Sequence, residues 1–167
     1  MLLDPRRRAG LFPLPVVFVS TVSRDGVRNV APYGCFMPIL RPLDLVCLAS
    51  AKERDTLRNI RETGEFVVNL AGPDFVDKVM PTAKPCPPDS DEFVLASLSE
   101  KPSLAVRPPG IAGCYAWMEC ALYEEYSDAQ FSLVGHAPLS PQMARMLPTP
   151  GPPSWQAHQS PPGGLNE

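Results

Sequence analysis

The sequence predicts a mostly β domain, best described as a β-barrel with short helical excursions. Short segments rich in apolar, β-branched and aromatic residues recur along roughly the first 135 positions, and only two short segments carry helix start and stop signals. The chain has 167 residues, of which 44% are hydrophobic and 20% charged, as in ordinary soluble folded proteins. Many short strands interleaved with two short helices favour a barrel over a βαβ sheet.

The first predicted element is a β-hairpin. Residues 16–22 (VVFVSTV) are rich in β-branched and aromatic side chains, which favours a strand. The next four residues, Ser23 to Gly26, supply turn chemistry, and Gly26 can take the positive φ that a tight turn needs. A second strand is predicted from about Val27 to Ala31.

The middle of the chain alternates strands with the two helices. Residues 43–50 (LDLVCLAS) form a continuous apolar strand, and the following helix is predicted to start at Asp55 and stop at Gly64. Another strand covers residues 65–70. A second short helix is predicted from Pro73 to about Met80, because proline is tolerated in the first helical turn, and a loop is predicted over 81–92.

The last predicted strands cover residues 115–123 and 131–134. The residues that follow, His136 to Pro138, are expected to break the strand, which would leave a sheet edge exposed. Beyond them proline and glycine dominate, so we expect a disordered tail. The predicted organisation is an N-terminal lead (1–12), one folded domain (13–136) and the proline-rich tail (137–167).

Charge and cysteine content exclude several functional classes. The formal net charge is −3 and the pI about 5.4, which argues against a nucleic-acid or anionic-membrane surface. Five widely spaced cysteines with no C-x-x-C pair, and only two histidines, suggest neither a disulfide framework nor a metal site. Arg6 to Arg8 precede an apolar stretch that Pro13 and Pro15 interrupt, so we expect a charged N-terminus rather than a signal peptide. No apolar run approaches the about 18 residues that span a bilayer, and a reducing, cytoplasmic setting fits best.

The best candidate for a ligand site is the junction between the apolar strand and the first helix. Ser50 ends the strand, Lys52 and Arg54 add positive charge, and Asp55 or Thr56 begins the helix. The first N–H groups of a helix lack internal partners and carry the positive end of its dipole, so they attract an anion. Arg54 and the hydroxyls of Ser50 and Thr56 can add donors. The junction lacks the glycines of a P-loop or dinucleotide turn, which favours a single terminal phosphate.

A second candidate follows the first hairpin. Pro32 and Gly34 are poor interior strand residues, so we expect the backbone to leave the ladder there and free its polar groups. Ala31 and Gly34 are small enough for a flat ring to approach, and the Asn29 amide can donate and accept at the polar edge of such a ring. Tyr33 lies between them.

Both segments also have purely structural interpretations. At the junction, Asp55 or Thr56 would simply cap the helix and the charged residues before it would form a solvated loop. After the hairpin, Tyr33 and Phe36 would be core aromatics and Gly34 a bulge. The residues alone leave these alternatives open.

An ordered series of motifs across these segments resembles the flavin-reductase-like, FMN-binding split-barrel family. The resemblance covers roughly residues 13–135, and Gly34 departs from the serine usual in the family. The matching motifs are VST at Val19 to Thr21, Gly26, NVAPYGCF at Asn29 to Phe36, Ser50, RDTLRNI at Arg54 to Ile60, and EFVVN at Glu65 to Asn69.

The resemblance implies a split barrel that binds flavin mononucleotide (FMN), usually as a homodimer with the flavin near the subunit interface. It implies cofactor contacts from the matched positions and from their charged neighbour Lys52. These candidate cofactor-binding residues are Ser20, Thr21, Asn29, Ala31, Pro32, Tyr33, Gly34, Ser50, Lys52, Arg54, Asp55 and Thr56.

The leading functional hypothesis is a flavin reductase that transfers hydride from NADH or NADPH to flavin, alone or for a partner monooxygenase. The cofactor carries this chemistry, so no catalytic residue is assigned. His136 is either a residue facing the nicotinamide or simply the point where the chain leaves the barrel. The alternatives are a non-catalytic FMN electron carrier and an inactive split-barrel interaction protein with an altered C-terminus, whose proline-rich tail would bind partners.

Overall fold

The computed structural model describes residues 14–40, 45–52 and 54–138. The predictions for the lead (1–12) and for the tail from residue 139 onward lie outside the described residues.

Short strands dominate the described chain, with three helices between them. The strands are β1 (Val17–Val22), β2 (Arg28–Tyr33), β3 (Phe36–Leu40), β4 (Leu45–Ala51), β5 (Glu65–Leu70), β6 (Glu100–Lys101), β7 (Gly110–Ile111), β8 (Ala116–Ser127) and β9 (Phe131–Pro138). The helices are α1 (Asp55–Thr63), α2 (Val76–Ala83) and α3 (Glu92–Leu95).

Seven strands form one curled antiparallel sheet, in the order β2-β1-β5-β8-β9-β4-β3. Strands β6 and β7 pair separately as a small two-stranded sheet. The predicted mostly β architecture with few short helices is therefore confirmed. The predicted first hairpin is also confirmed, and Gly26 in its turn has φ +89°.

Strand β1 is buried along its whole length, because each of its two faces packs against a different core. Val17 and Val19 face a core with Leu57 of α1. Phe18 faces a second core with Phe93 of α3. Alternate side chains of a strand point to opposite faces, so the unbroken apolar run of β1 is the pattern of a strand covered on both sides.

Pro32 remains in the sheet, so the prediction that the backbone leaves the ladder at this proline is wrong. β2 continues to Tyr33, with Pro32 opposite Phe18, and the chain leaves the strand at Gly34. β2 is an edge strand of the sheet, and an edge strand tolerates proline because one side of it has no neighbouring strand to accept a bond from the missing N–H.

The last strand also extends further than its sequence predicted. β9 reaches Pro138 and pairs with β4 on one side and β8 on the other. His136 lies opposite Val46 and Leu122, and Pro138 lies opposite Cys120. The predicted break at His136 to Pro138 is therefore wrong, because pairing with two neighbours outweighs the low strand propensity of one terminal proline.

Helix α1 has the predicted bounds. It ends before Gly64, whose φ of +74° is the left-handed conformation that stops a helix, and whose N–H donates to Ile60 O at 2.8 Å. The second helix begins as a 3-10 turn at Pro73–Phe75 and continues as α2 to Ala83, so the predicted loop starts later than residue 81. Strands β3, β6 and β7 and helix α3 had no counterpart in the sequence prediction.

Candidate functional site

A cavity of about 260 Å³ opens where β2, β4 and the start of α1 meet the segment after α2. The structure brings most of the predicted cofactor-binding residues to this one place. Its lining comprises Asn29, Ala31, Pro32, Tyr33, Gly34, Cys35, Ala49, Ala51, Arg54, Asp55, Thr56, Thr82, Ala83, Lys84, Pro85, Cys86 and Glu92.

The N-terminus of α1 lies at this cavity, which Arg54, Asp55 and Thr56 help to line. Arg54 is the N-cap residue, in an extended conformation, and within the described part of the chain its side chain makes no capping hydrogen bond. The first helical hydrogen bond runs from Arg58 N to Arg54 O at 3.0 Å. The N–H groups of residues 55–57 therefore have no acceptor within the helix. The structural alternative in which Asp55 or Thr56 caps the helix is not what the structure shows, since Asp55 pairs with Arg58 at 2.7 Å instead.

Small side chains line the wall of the cavity. Ala49 and Ala51 of β4 face it, because they alternate with Leu48 and Ser50, which are buried on the other side of the strand. A Cβ built on Gly34 would meet the Leu14 side chain at 3.6 Å, which is ordinary contact. The position thus has room for the serine usual in the family.

Asn29 is buried, and its side-chain amide makes its hydrogen bonds to other residues of the protein. With its Nδ2 donating to Glu92 Oε2 at 3.0 Å, its Oδ1 accepts from the hydroxyls of Thr56 at 2.9 Å and Thr21 at 3.2 Å. Asn59 Nδ2 donates to Thr21 Oγ1 from below at 3.0 Å. The Asn29 side chain therefore positions its neighbours at the cavity, and its polar groups are already paired before any ring arrives.

Four of the predicted contact residues do not line the cavity. Ser20 is fully buried and donates to Pro109 O at 2.6 Å, and Thr21 lies beneath Asn29. Ser50 is buried with its hydroxyl 3.2 Å from the Tyr33 hydroxyl. Lys52 lies toward the β8–β9 turn, where its N–H donates to Gln130 O at 3.2 Å. Their roles as cofactor contacts stay predictions.

Sequence reasoning missed the side of the cavity formed after α2. Thr82 at the end of α2, and Lys84, Cys86 and Glu92 after it, line this side, and all four lie in what was predicted to be a plain loop over 81–92. Burial, followed by the hydrogen bond to Glu92, raises the pKa of the Cys86 thiol to about 11. The available signal was the stretch Asp91 to Phe93, a further short segment in which the sequence resembles the flavin-reductase-like family.

The Glu92 carboxyl is the main buried acid of the site. Burial raises its pKa above the usual range, and the negative charges of Asp55 and Asp91 act in the same direction. Hydrogen bonds from Cys86 and from Val30 N oppose this rise by stabilising the ionised form.

Two general features complete the description of the site. Within the described ranges, no three histidine, cysteine or acidic side chains come together in a way that could hold a metal ion. Among the same residues, no helix has the length and hydropathy that crossing a bilayer requires.

Comparison with known proteins gives relatives over most of the chain. A protein of Methanothermobacter thermautotrophicus, described as uncharacterized, is 59% identical over 128 residues, which are 77% of this chain and 60% of the relative. A relative in Aquifex aeolicus, also uncharacterized, is 34% identical over 118 residues and is likewise matched over 60% of its length. The chain therefore spans about 60% of the length of these curated relatives.

Solved structures share the fold. Nitrilotriacetate monooxygenase component B from Bacillus cereus superposes with a TM-score of 0.74 at 26% identity, covering 84% of this chain and 79% of that one. Flavoredoxin of Desulfovibrio vulgaris (Miyazaki F) superposes with a TM-score of 0.73 at 18% identity, covering 84% and 75%, and at that identity it shows the fold alone. The model of one protein family, described as the flavin reductase like domain, matches residues 8–136. With the split-barrel fold and this match over most of its length, the chain belongs to the flavin reductase like family.

Proposed function

We propose that this chain is an FMN-binding oxidoreductase of flavin-reductase type, which transfers hydride from NADH or NADPH to flavin. The observation that carries the proposal is the uncapped N-terminus of α1 facing a cavity with small walls and Arg54 at its edge. This combination suits a flat ring that ends in one phosphate.

The residues present fit such a group. Backbone N–H groups at the start of α1, together with the Arg54 guanidinium, would hold the phosphate. Ala31, Gly34, Ala49 and Ala51 would let the ring approach the two strands closely. FMN, when bound, supplies the hydride-accepting ring, and the protein contributes binding and orientation.

Acidic groups at the cavity bear on where the phosphate would sit. Asp55 also lines the cavity, but its carboxylate pairs with Arg58 on the helix. Glu92 lies with Asn29 and Cys86. A phosphate at the start of α1 would therefore lie closest to Arg54 and the helix dipole, which favour its charge.

The first test compares FMN with riboflavin, which lacks the phosphate. The variant Arg54→Met should weaken FMN at least about tenfold, as expected for loss of a charge-assisted hydrogen bond, and leave riboflavin within about twofold. Flavin fluorescence quenching on titration with protein measures both affinities. Arg107→Met, which removes a cation whose partner is Glu65 on the surface, is the matched control. Equal losses for both flavins would reject the phosphate assignment.

Catalysis is tested separately from binding. A reductase should oxidise NADH or NADPH steadily when free flavin is added, whereas a non-catalytic electron carrier should bind flavin without such turnover. The likeness to component B of a monooxygenase favours the reductase and a role supplying reduced flavin to a monooxygenase. A flavin-free protein that FMN cannot reconstitute would reject both functions.

The third hypothesis, an inactive interaction protein, combined an altered C-terminus with partner binding by the proline-rich tail. β9 pairs through Pro138, which removes the expected break in the strand, whereas the tail from residue 139 lies outside the described residues and its partner binding stays a prediction. We further propose that the protein is a homodimer, on the basis of the family resemblance. From the composition, we propose that it works in the cytoplasm.

A further inference from the structure

The Glu92 carboxyl is a buried acid that the proposed chemistry does not use. It lines the cavity described above and also a neighbouring cavity of about 310 Å³. The side chain is only 8% exposed and lies at the first residue of α3, between the two spaces.

Three donors surround this carboxylate. Val30 N donates to Oε2 at 2.6 Å, and Cys86 Sγ donates to Oε1 at 3.1 Å. Asn29 Nδ2 donates to the same Oε2 at 3.0 Å. The Val30 N–H belongs to a strand and cannot rotate, so the atom facing it must be an acceptor.

The carboxylate, together with the Val30 N–H that lies 3.2 Å from Asn29 Oδ1 in the favoured orientation, sets which way the Asn29 amide points. The reverse orientation would place the amide oxygen 3.0 Å from the carboxylate oxygen, two acceptors facing each other. In the favoured orientation, Asn29 Oδ1 faces the hydroxyls of Thr56 and Thr21, so both hydroxyls donate to it. A hydroxyl carries one proton, so the Thr56 hydroxyl then has none left to donate to an anion at the start of α1.

We propose that Glu92 is a positioning residue for phosphate selectivity: through Asn29 it directs the Thr56 hydroxyl proton away from the flavin phosphate. The inference rests on the proposed FMN site. It leaves the backbone N–H groups of α1 and Arg54 as the donors to the phosphate. A phosphate held by fewer donors dissociates faster, which suits a flavin that leaves the protein as a product.

Charge must be separated from hydrogen-bond direction, because a buried negative charge at Glu92 also repels a phosphate. Asp55, Asp91 and Cys86 are the titratable groups that act on it. Glu92→Gln removes the charge and keeps the direction, since Val30 N–H requires the amide oxygen of the glutamine at the position of Oε2. Glu92→Met removes both the charge and the acceptor at similar volume.

The test measures the FMN and riboflavin dissociation constants of each variant by fluorescence titration. The riboflavin-to-FMN ratio of dissociation constants should be about tenfold higher in Glu92→Met than in Glu92→Gln, because the released Thr56 hydroxyl gains a bond to the phosphate. The double variant Glu92→Met/Thr56→Val should lose this gain. Equal ratios in Glu92→Gln and Glu92→Met would overturn the proposal.

If circular dichroism shows that Glu92→Met is unfolded, a second measurement tests the proposal. Thr56→Val alone should leave the riboflavin-to-FMN ratio within about twofold of the unmodified protein, because its hydroxyl proton is committed to Asn29. A tenfold fall in that ratio would show that the hydroxyl already serves the phosphate and would overturn the inference. Unmodified protein that binds no FMN would reject the proposed function itself, a result distinct from FMN binding with an unfavourable variant pattern.

Discussion

Asn69 joins three strands through one fully buried side chain. Its Nδ2 donates to Phe18 O and to Ser20 Oγ, both at 3.1 Å, and its Oδ1 accepts from Ile111 N at 2.7 Å. β5, β1 and β7 therefore meet at this amide. Buried polar groups that lose a partner cost free energy, so Asn69 ties the small sheet to the large one.

We expect Asn69→Ala to lower the free energy of unfolding by about 2–3 kcal/mol, because it leaves Ile111 N and Ser20 without this partner. Asn59→Ala is the matched control. Asn59 is equally buried, but its Nδ2 donates to Thr21 and its Oδ1 has no hydrogen-bond partner among the residues that the structure describes. It should cost about 1 kcal/mol or less. Urea denaturation measures both, and a smaller loss for Asn69→Ala than for Asn59→Ala would contradict the assignment.

The two ends of helix α1 differ: one lies at the cavity, and the other is closed by hydrogen bonds within the chain. At its start, Arg54, Asp55 and Thr56 line the cavity, and the first N–H groups have no acceptor within the helix. Its stop is formed by Gly64, with φ +74°. An open start is available to a ligand, whereas the stop is satisfied within the chain. The element is thus held in place from its far end and by its packing, which leaves its near end available for binding.

Gly64→Ala should destabilise the protein by about 1 kcal/mol, because an L side chain is strained in the left-handed conformation. No atom of the described residues lies within 4 Å of a Cβ built at Gly64, so the destabilisation comes from the strained backbone conformation and not from a clash. Gly72→Ala provides the control, since Gly72 also has free space but a φ of −80°. The free energy of unfolding should therefore change less in Gly72→Ala than in Gly64→Ala, because alanine can adopt this conformation. Thermal unfolding of both variants checks this, and equal shifts in Tm would contradict the explanation.

At the scale of the molecule, β9 completes the sheet. It pairs with β8 on one side and β4 on the other, and β4 in turn pairs with β3. The strand that was expected to break at His136 to Pro138 therefore joins the two halves of the barrel. The edge strand β3 exposes apolar side chains, with Met37 at 59% and Ile39 at 46%. An exposed apolar edge strand is a ready surface for pairing with another chain.

The proposed homodimer can be tested at this edge. We expect Met37→Glu/Ile39→Glu to shift the sedimentation coefficient from dimer to monomer and to weaken FMN binding at least about fivefold, as a flavin near the interface requires. Leu104→Glu, at a side chain 81% exposed away from β3, should change neither quantity. A wild-type protein that is monomeric while binding FMN would exclude this arrangement.

The sequence by itself determined the local features: the strand of β1, the turn at Gly26, the bounds of α1, and the ordered motifs that identify the family. These depend on side-chain pattern and backbone conformation within a few residues. Only the tertiary structure decided that Pro32 and Pro138 stay in strands. Pro32 lies on an edge strand, where one side needs no hydrogen bond from its nitrogen, and Pro138 ends a strand that is paired on both sides. It alone brought Glu92 to Val30 and Asn29, since these contacts depend on how α3 packs against β2; Val30 and Glu92 are 62 positions apart in the sequence.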